Sequence, residues 1–196
     1  MPLIYGQTNT VTMPHVFDIN KRDKLWGKDR RSRQPIDQLM NLLSPAPGDH
    51  WVDVGAGNGY VTIPLLQTGC RVTALDMEEV MIFDLISRTP ERLLSGLKTG
   101  IGEVPPIPLS DNEADALVMV NTLHEVQDRH YLVKEIQRVV KPGGRVHVIE
   151  HRKGQGVEGP PEEDRLDSED VIGIFSGFEL YEVNVEESFI HIGLIP

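Results

Sequence analysis

The sequence predicts an α/β fold with a doubly wound, mostly parallel sheet that ends in a C-terminal antiparallel hairpin. Strand-like and helix-like segments alternate between residues 50 and 150, which favours parallel strands joined by helices on both faces of the sheet. A glycine-rich turn at 55–59 follows the first strand-like segment. Two strand-like segments then come in succession at 178–185 and 188–195, so the last pair is expected to be antiparallel.

The spacing of apolar residues predicts the individual elements. A short helix is expected at 35–43, because Pro35 suits a first turn and the apolar residues recur at helical spacing. The other predicted helices span residues 60–67, 78–88, 129–140 and 167–175. The predicted strands before the hairpin span residues 50–54, 71–75, 97–102, 116–120 and 145–150. The segment 141–144 (KPGG) is expected to break the helix that precedes it.

Length and composition predict a single domain over residues 1–196, with a basic cap at 1–34 and the core at 35–196. The chain is 39% hydrophobic and 25% charged, which is ordinary for a globular protein. Its single cysteine, Cys70, cannot form an internal disulfide or a thiolate cluster for a metal. The sequence shows no signal-peptide pattern and no apolar run of the ~20 residues that a membrane helix needs. A cytoplasmic protein is therefore expected.

The glycine turn is the segment most indicative of a ligand site. It reads Asp53-x-Gly55-x-Gly57-x-Gly59 and lies between a predicted strand and a predicted helix. In parallel sheets ligands bind at the carboxyl ends of the strands, and glycine lets the backbone approach them closely. A dinucleotide fingerprint counted from Gly55 requires a third glycine at position 60, where this chain has Tyr60.

A second acidic residue, Asp76, ends the second predicted strand. A carboxylate at this position can accept hydrogen bonds from both ribose hydroxyls of a nucleoside ligand. It can also cap the helix predicted at 78–88, so the position alone leaves both interpretations open.

These residues and several later segments together resemble the ordered motifs of class I S-adenosylmethionine-dependent methyltransferases. The glycine turn resembles the first motif of that family. The later segments are 102–104 (GEV), 107–109 (IPL), 111–115 (DNEAD), 121–125 (NTLHE), 140–144 (VKPGG) and 177–178 (GF). The resemblance covers about residues 15–195 and is greatest toward type 11 methyltransferases and the ubiquinone/menaquinone methyltransferase-like branch.

The resemblance implies a Rossmann-like, seven-stranded sheet, with S-adenosylmethionine as cofactor and S-adenosylhomocysteine as product. It implies these cofactor-binding residues: Asp53, Gly55, Ala56, Gly57, Asn58, Gly59, Asp76, Met77, Glu103, Val104 and Asn121. The family has an aspartate that bonds the adenine amino group where this chain has the longer Glu103. The family also has a phenylalanine where this chain has Ala114.

His124 and Glu125 are the candidate catalytic residues, because they follow the fourth strand, where the methyl group would face the acceptor. Methyl transfer from a sulfonium depends mainly on positioning, and it needs a base only if the attacking atom must lose a proton. His124 is either that base or a structural histidine, and Glu125 is either catalytic or a cap of the next helix. Glu150 and His151 are lower-ranked candidates on the same rim.

No metal site is expected. His147 and His151 lie four residues apart on a predicted strand, which separates them by ~13 Å. His124 and His130 lack a carboxylate partner at a clear helical spacing.

The acceptor is expected to be a small molecule. Segment 121–124 lacks the Asn/Asp-Pro-Pro-Tyr motif of enzymes that methylate amino groups of amides and adenine, and Cys70 is badly placed for cytosine methylation. The net charge of −11 argues against broad nucleic-acid binding, which requires a basic surface. Three alternatives remain: a regulatory protein that binds the cofactor without turnover, an RNA-modifying methyltransferase and a nicotinamide-dependent oxidoreductase. The oligomeric state is not readable from the sequence.

The basic segment within residues 21–33 and nearby aromatic residues form the predicted cap. The basic residues are Lys21, Arg22, Lys24, Lys28, Arg30, Arg31 and Arg33. They make either a solvated arm or a lid that meets an anionic substrate or the cofactor carboxylate. Tyr5, Phe17 and Trp26 either close over the site or pack the cap onto the sheet.

Overall fold

The computed structural model describes residues 17–154 and 159–196. The helices are α1 (Lys28–Arg33), α2 (Ile36–Leu43), α3 (Thr62–Gln67), α4 (Glu79–Arg88), α5 (Arg129–Val139) and α6 (Ser168–Ile174). The strands are β1 (His50–Val54), β2 (Arg71–Asp76), β3 (Leu97–Ile101), β4 (Ala114–Val120), β5 (Val140–His151), β6 (Glu179–Val185) and β7 (Phe189–Ile195). Short 3-10 turns lie at Ile19–Trp26, Glu91–Gly96, Leu123–Glu125 and Glu162–Asp164.

The strands form one seven-stranded sheet in the order β3-β2-β1-β4-β5-β7-β6. Strands β1 to β5 are mutually parallel, whereas β7 runs antiparallel to both β5 and β6. The predicted fold class, including its C-terminal antiparallel pair, is confirmed. From β1 the strands are added toward one edge of the sheet as far as β3, and from β4 they are added toward the other edge. The point between β1 and β4, where the strand order reverses, is where a doubly wound sheet binds its ligands.

Element boundaries differ from the prediction by more than one residue at three places, one of which is the start of β4, at Ala114 and not at 116. The helix expected to begin at Tyr60 begins at Thr62, because the glycine turn continues to that residue. The KPGG segment ends α5 as expected, but it then forms the start of β5 and not a loop. Ala114 pairs with Val140 and Ala116 with Arg145, so the extra residues of β5 bulge out between two paired positions.

Side chains alternate between the two faces of the sheet, and each face packs against helices. Val52 and Leu117 belong to a core cluster with apolar residues of α5 and α6. Trp51 and Val118 belong to a second cluster with residues of α2 and α3. Both sheet faces are therefore buried, as the near-continuous apolar strands require. None of the helices in residues 17–154 and 159–196 is long and apolar enough to cross a membrane.

The described part of the cap, the 3-10 turn at Ile19–Trp26 together with α1, lies over the carboxyl ends of the central strands. The Trp26 indole N–H donates to the carbonyl of Asn58 over 3.2 Å, and the Asn58 amide donates to the carbonyl of Arg22 over 3.0 Å. Arg22 also forms an ion pair of 3.0 Å with Asp84 of α4. The cap is therefore bonded directly to the glycine turn and to the helix that follows β2.

Candidate active site

A cavity of about 520 Å³ lies between the cap and the carboxyl ends of β1, β2 and β4. Its volume is typical of small-molecule sites, which span ~300–1,000 Å³. The predicted site residues that line it are Gly55, Ala56, Gly57, Asn58, Asp76, Met77, Glu103, Val104, Asn121, His124 and Glu125. Asp53 and Gly59 were also predicted to contact the cofactor, but they lie outside the cavity lining.

The glycine turn needs its glycines for two different reasons. Gly55 has a φ of +72°, and a Cβ there would overlap the Thr122 side chain. Gly59 has a φ of +91°, and a Cβ there would overlap Leu85 of α4. Gly55 thus lets the β1 turn lie against the end of β4, whereas Gly59 lets α4 pack closely.

Two backbone bonds fasten the turn to the neighbouring strand. The N–H groups of Gly55 and Ala56 both donate to the carbonyl of Leu75, over 2.8 and 3.0 Å. The backbone of the turn is therefore held at the end of β2 without help from a ligand.

Asp53 is buried beneath the turn and bonded inside the protein. Its carboxylate accepts a 2.6 Å hydrogen bond from the Thr62 hydroxyl, which ties β1 to the first residue of α3. Burial raises the pKa of Asp53 to about 6, the charge of Asp76 adds to the rise, and the Thr62 bond and the charge of Arg30 oppose it. The described contacts of Asp53 therefore assign it a role in supporting the turn.

Asp76 lines the cavity at the end of β2. One carboxylate oxygen accepts from the Gly57 N–H over 2.7 Å, and the other accepts from the Glu78 N–H over 2.9 Å. Burial raises the pKa of Asp76, although both of these bonds lower it. Since each carboxylate oxygen has two lone pairs, Asp76 can hold the turn and the start of α4 and still accept from a ligand.

Beyond Asp76 the cavity is lined by the ends of β2 and β3. Met77 is 44% exposed, and Val104 is half-buried. Glu103 is exposed beside Val104 and also lines the cavity. This end therefore offers two apolar side chains and one carboxylate.

Asn121 ends β4 in a left-handed conformation with a φ of +55°, and its N–H donates to the carbonyl of Ile149 over 2.7 Å. Its side-chain amide exchanges two 3.0 Å hydrogen bonds with the amide of Gln34, which lies between α1 and α2. Gln34 was not among the predicted site residues, since nothing in the sequence around it indicates that it reaches β4.

His124 is buried and bonded to Glu150, which is only 1% exposed. Its Nδ1 lies 2.8 Å from a Glu150 oxygen. The other Glu150 oxygen accepts from the N–H groups of Thr122 and His124, over 3.1 and 3.3 Å. Burial alone would lower the pKa of His124, but the Glu150 bond and the charges of Glu150, Glu125 and Asp164 raise it above its ordinary value.

Glu125 lies beside His124 and contacts the cap. Its Oε1 accepts a 3.0 Å bond from the Phe17 N–H and lies 3.7 Å from the Nε2 of His124. Burial raises the pKa of Glu125 to about 7; Glu150 and Asp76 add to this rise, and His124 and the Phe17 bond oppose it. The interpretation of Glu125 as a helix cap is wrong, because Asp128 caps α5 by accepting from the Tyr131 N–H over 2.8 Å.

The cap side of the cavity is basic, and Lys21, Lys24, Arg30 and Arg33 line it. The guanidinium of Arg30 lies 4.8 Å from the centre of the Tyr60 ring, and its buried Nε has no hydrogen-bond partner among the described residues. Burial lowers the pKa of Arg30 to about 10. The pKa of His151 is lowered to about 3, mainly by burial. Nearby positive charges add to this effect, and they belong to Arg30, His124, Arg165 and Arg33. Positive charge therefore collects at this end of the cavity.

The predicted aromatic residues of the cap take different positions. Trp26 packs edge-on against Tyr60 with ring centres 5.6 Å apart, and Phe17 lines the cavity. Tyr5 lies outside the described residues. In the two described ranges, no group of three or more histidine, cysteine, aspartate or glutamate side chains is arranged to hold a metal ion.

Comparisons with known proteins agree on one family. The family model described as "Methyltransferase domain" matches residues 52–148. A demethylmenaquinone methyltransferase of Corynebacterium glutamicum is 28% identical over 134 residues, which is 68% of this chain and 54% of that protein. The corresponding protein of Corynebacterium kroppenstedtii is 32% identical over 146 residues, 74% of this chain and 54% of its own length. The chain thus spans about half the length of these relatives.

A crystal structure of a SAM-dependent methyltransferase from Aquifex aeolicus superposes with a TM-score of 0.84 at 25% identity. The match covers 92% of this chain and 99% of that one. The chain belongs to the class I S-adenosylmethionine-dependent methyltransferase family. Within this methyltransferase fold, the family match includes the glycine turn, Asp76 and segment 121–125, whereas the cap residues and Glu150 lie outside the matched range.

Proposed function

We propose that this chain transfers the methyl group of S-adenosylmethionine to a small-molecule acceptor. One observation carries the proposal: a single cavity is lined by the glycine turn, Asp76, Glu103, Asn121, His124 and Glu125. These residues come from the ends of different strands and meet where a doubly wound sheet binds its ligand.

The end of the cavity near β2 and β3 suits an adenosine group. Asp76 has spare lone pairs to accept from the ribose hydroxyls, and the apolar side chains of Met77 and Val104 suit the faces of a purine ring. Glu103 offers a carboxylate to the adenine amino group. Its exposure leaves it free to adopt the side-chain conformation that this bond needs.

The opposite end suits the amino-acid group of the cofactor. Gly55, Ala56 and Gly57 all line the cavity, so a ligand can lie against the backbone of the turn. The Arg30 guanidinium, with its unpartnered Nε, provides positive charge for the cofactor carboxylate. We assign Arg30 this role, which makes the cap a lid over the cofactor.

When bound, S-adenosylmethionine supplies an electrophilic methyl group on a sulfonium, which an acceptor attacks in line. The protein's contribution is to orient both molecules and to keep water away. The cap covers the glycine turn through its bonds to Asn58 and reaches the acceptor side through the Phe17–Glu125 bond. We place His124 and Glu125 beside the acceptor as the catalytic residues.

The contacts of the basic segment favour a small molecule over RNA. Arg22 pairs with Asp84 and Lys21 with Asp18, while the Arg31 side chain donates to the carbonyl of Trp26. Basic side chains that are bonded within the protein provide less of the counterion release on which nucleic-acid affinity depends. The two Corynebacterium relatives are named for demethylmenaquinone, which makes this quinone the first acceptor to test here.

The test is conversion of S-adenosylmethionine to S-adenosylhomocysteine in the presence of reduced demethylmenaquinone and a pool of other small metabolites. We expect acceptor-dependent turnover that falls by about tenfold or more in Glu103→Ala. Glu91→Ala, which removes an exposed carboxylate from outside the cavity, is the matched control. Cofactor binding without turnover on any acceptor would instead support a regulatory protein.

A further inference from the structure

We propose that Glu150 positions His124 as a general base, and that the methyl acceptor therefore carries a hydroxyl, phenolic or enolic, that loses its proton. The inference rests on the proposed function and names the acceptor class of the same cavity. Glu150 is a positioning residue in this account, because it lies beneath His124 and outside the cavity lining.

The hydrogen bonds around Glu150 define which nitrogen of His124 carries hydrogen. Glu150 accepts from two backbone N–H groups, at Thr122 and His124, and such bonds stabilise an ionised carboxylate. An ionised carboxylate can only accept, so Nδ1 of His124, at 2.8 Å, must be the donor. In the neutral imidazole this leaves the lone pair on Nε2.

The other nitrogen, Nε2, is not hydrogen-bonded to Glu125. His124 lines the cavity, and its Nε2 lies 3.7 Å from Glu125, too far for a hydrogen bond. Glu150, which is bonded to Nδ1, and Glu125, which lies near Nε2, both favour a proton on Nε2 through their negative charge. Asp164 adds negative charge from the turn at Glu162–Asp164, whereas the neighbouring His151 is kept neutral by burial and positive charge.

The acceptor forms a bond to the methyl carbon through the oxygen that loses its proton or through a carbon that this oxygen activates, and the carbon–sulfur bond breaks with its electron pair remaining on sulfur, which yields S-adenosylhomocysteine. After transfer to carbon, the hydrogen on that carbon leaves as a proton to water, and the oxygen takes up a proton from water, which restores the hydroxyl. The hydroxyl proton moves to Nε2 of His124, and Glu150 stabilises the resulting imidazolium. The imidazolium then releases this proton to solvent before the next turnover. A positioned base of this kind contributes ~10²–10⁴-fold to rate.

The first test measures the tautomer of His124 by ¹⁵N NMR of histidine-labelled protein saturated with S-adenosylhomocysteine. We expect the wild-type ring to carry hydrogen on Nδ1, and Glu150→Gln to lower the His124 pKa and redistribute the tautomers. Glu163→Gln, an exposed carboxylate, is the control and should change neither quantity. If the wild-type ring carries hydrogen on Nε2 alone, the proposal is overturned. This result does not depend on whether the Glu150→Gln variant folds.

The second test compares methyl transfer to 1,4-dihydroxynaphthalene, a phenolic probe, with transfer to dimethyl sulfide, a nucleophile without such a proton. We expect methyl transfer to the phenol, at a rate that rises with pH as His124 loses its proton. In Glu150→Gln this rate should fall by about tenfold or more. The affinity of Glu150→Gln for S-adenosylhomocysteine should stay within about twofold of the wild-type value. Glu150→Asp should recover part of the lost rate. Transfer to dimethyl sulfide alone, or an unchanged pH profile in Glu150→Gln, overturns the proposal. Failure of S-adenosylhomocysteine to bind the wild type would instead count against the proposed function.

Discussion

The side-chain amides of Gln34 and Asn121 exchange two hydrogen bonds of 3.0 Å each, although the residues lie 87 positions apart. Gln34 is buried and adjoins the basic helix α1, whereas Asn121 ends the central strand β4. This pair joins the lid to the rim of the cavity. This pair therefore couples the position of the cap to the geometry of the cavity, in addition to the cap bonds at Asn58 and Glu125.

Replacing Gln34 by alanine should loosen the lid. The change leaves the Asn121 amide, which is half-buried at the cavity, without its partner, and loss of a partner costs a buried polar group about 1–3 kcal/mol. We expect S-adenosylhomocysteine affinity to fall by about five- to 100-fold, with faster backbone hydrogen exchange in α1. Calorimetry and hydrogen-exchange mass spectrometry measure these effects. Gln67→Ala, which removes an exposed amide, is the control, and an equal loss in both variants would contradict a specific role for Gln34.

Replacing Arg30 by methionine should weaken binding only of ligands that have the amino-acid group. A charge-assisted bond is worth about 1.5–3 kcal/mol, so S-adenosylhomocysteine should bind about ten- to 100-fold more weakly. The nucleoside 5′-methylthioadenosine lacks the carboxylate, and its affinity should change by less than about twofold. Arg31→Met is the control, because Arg31 donates to Trp26 and lies outside the cavity lining. Equal losses for the two ligands would exclude a carboxylate contact.

Glu125→Gln should stabilise the protein more at high pH than at low pH. The pKa of Glu125 is about 7 in the folded chain and ordinarily 4.5, so the folded state retains a proton that the unfolded state releases. Wild-type stability therefore falls as pH rises between these values. The variant lacks this penalty, and glutamine can still accept from the Phe17 N–H. We expect its gain in Tm to grow from about pH 5 to about pH 8, and a gain that does not vary with pH would refute this cause.

A buried pair of histidines should make the protein sensitive to acid. Nδ1 of His147 lies 3.0 Å from Nε2 of His191, and burial lowers the pKa of both rings, that of His147 well below its ordinary 6.5. The unfolded chain takes up protons below about pH 6.5 that the folded chain resists, so stability is lost as pH falls. His147→Phe, which retains an aromatic ring beside Trp51, should flatten this dependence in Tm measurements at several pH values. The exposed His130→Asn should leave it unchanged.

Local sequence signals predicted most of the sheet and the part of the site that lies on it. β1 was predicted with the bounds observed, because Trp51, Val52 and Val54 make the segment apolar, and all five of its residues are buried. The glycine turn and Asp76 were found because their spacing reflects contacts between neighbouring strand ends. Asp53 shows the limit of this reasoning: its carboxylate is bonded to Thr62, a contact that a motif does not reveal.

The contributions of the cap and of Glu150 could not be read from local patterns. Phe17 meets Glu125 across 108 positions, and the Arg30 environment depends on how α1 packs over Tyr60. Glu150 was a lower-ranked candidate on the same rim as His124, and the two lie 26 residues apart on different elements. Only the parallel pairing of β4 with β5 brings them together. Contacts of this kind depend on tertiary packing, whose energy is not encoded in any single segment.

Calorimetric titration with S-adenosylhomocysteine tests the central claim most directly, because it needs no knowledge of the acceptor. We expect one site per chain, and about 2.7 kcal/mol of added stability at a ligand concentration of about 100 times Kd. NAD at the same concentration should produce neither binding heat nor a shift in Tm. Absence of both signals with S-adenosylhomocysteine, together with binding of NAD, would contradict the assignment of this cavity.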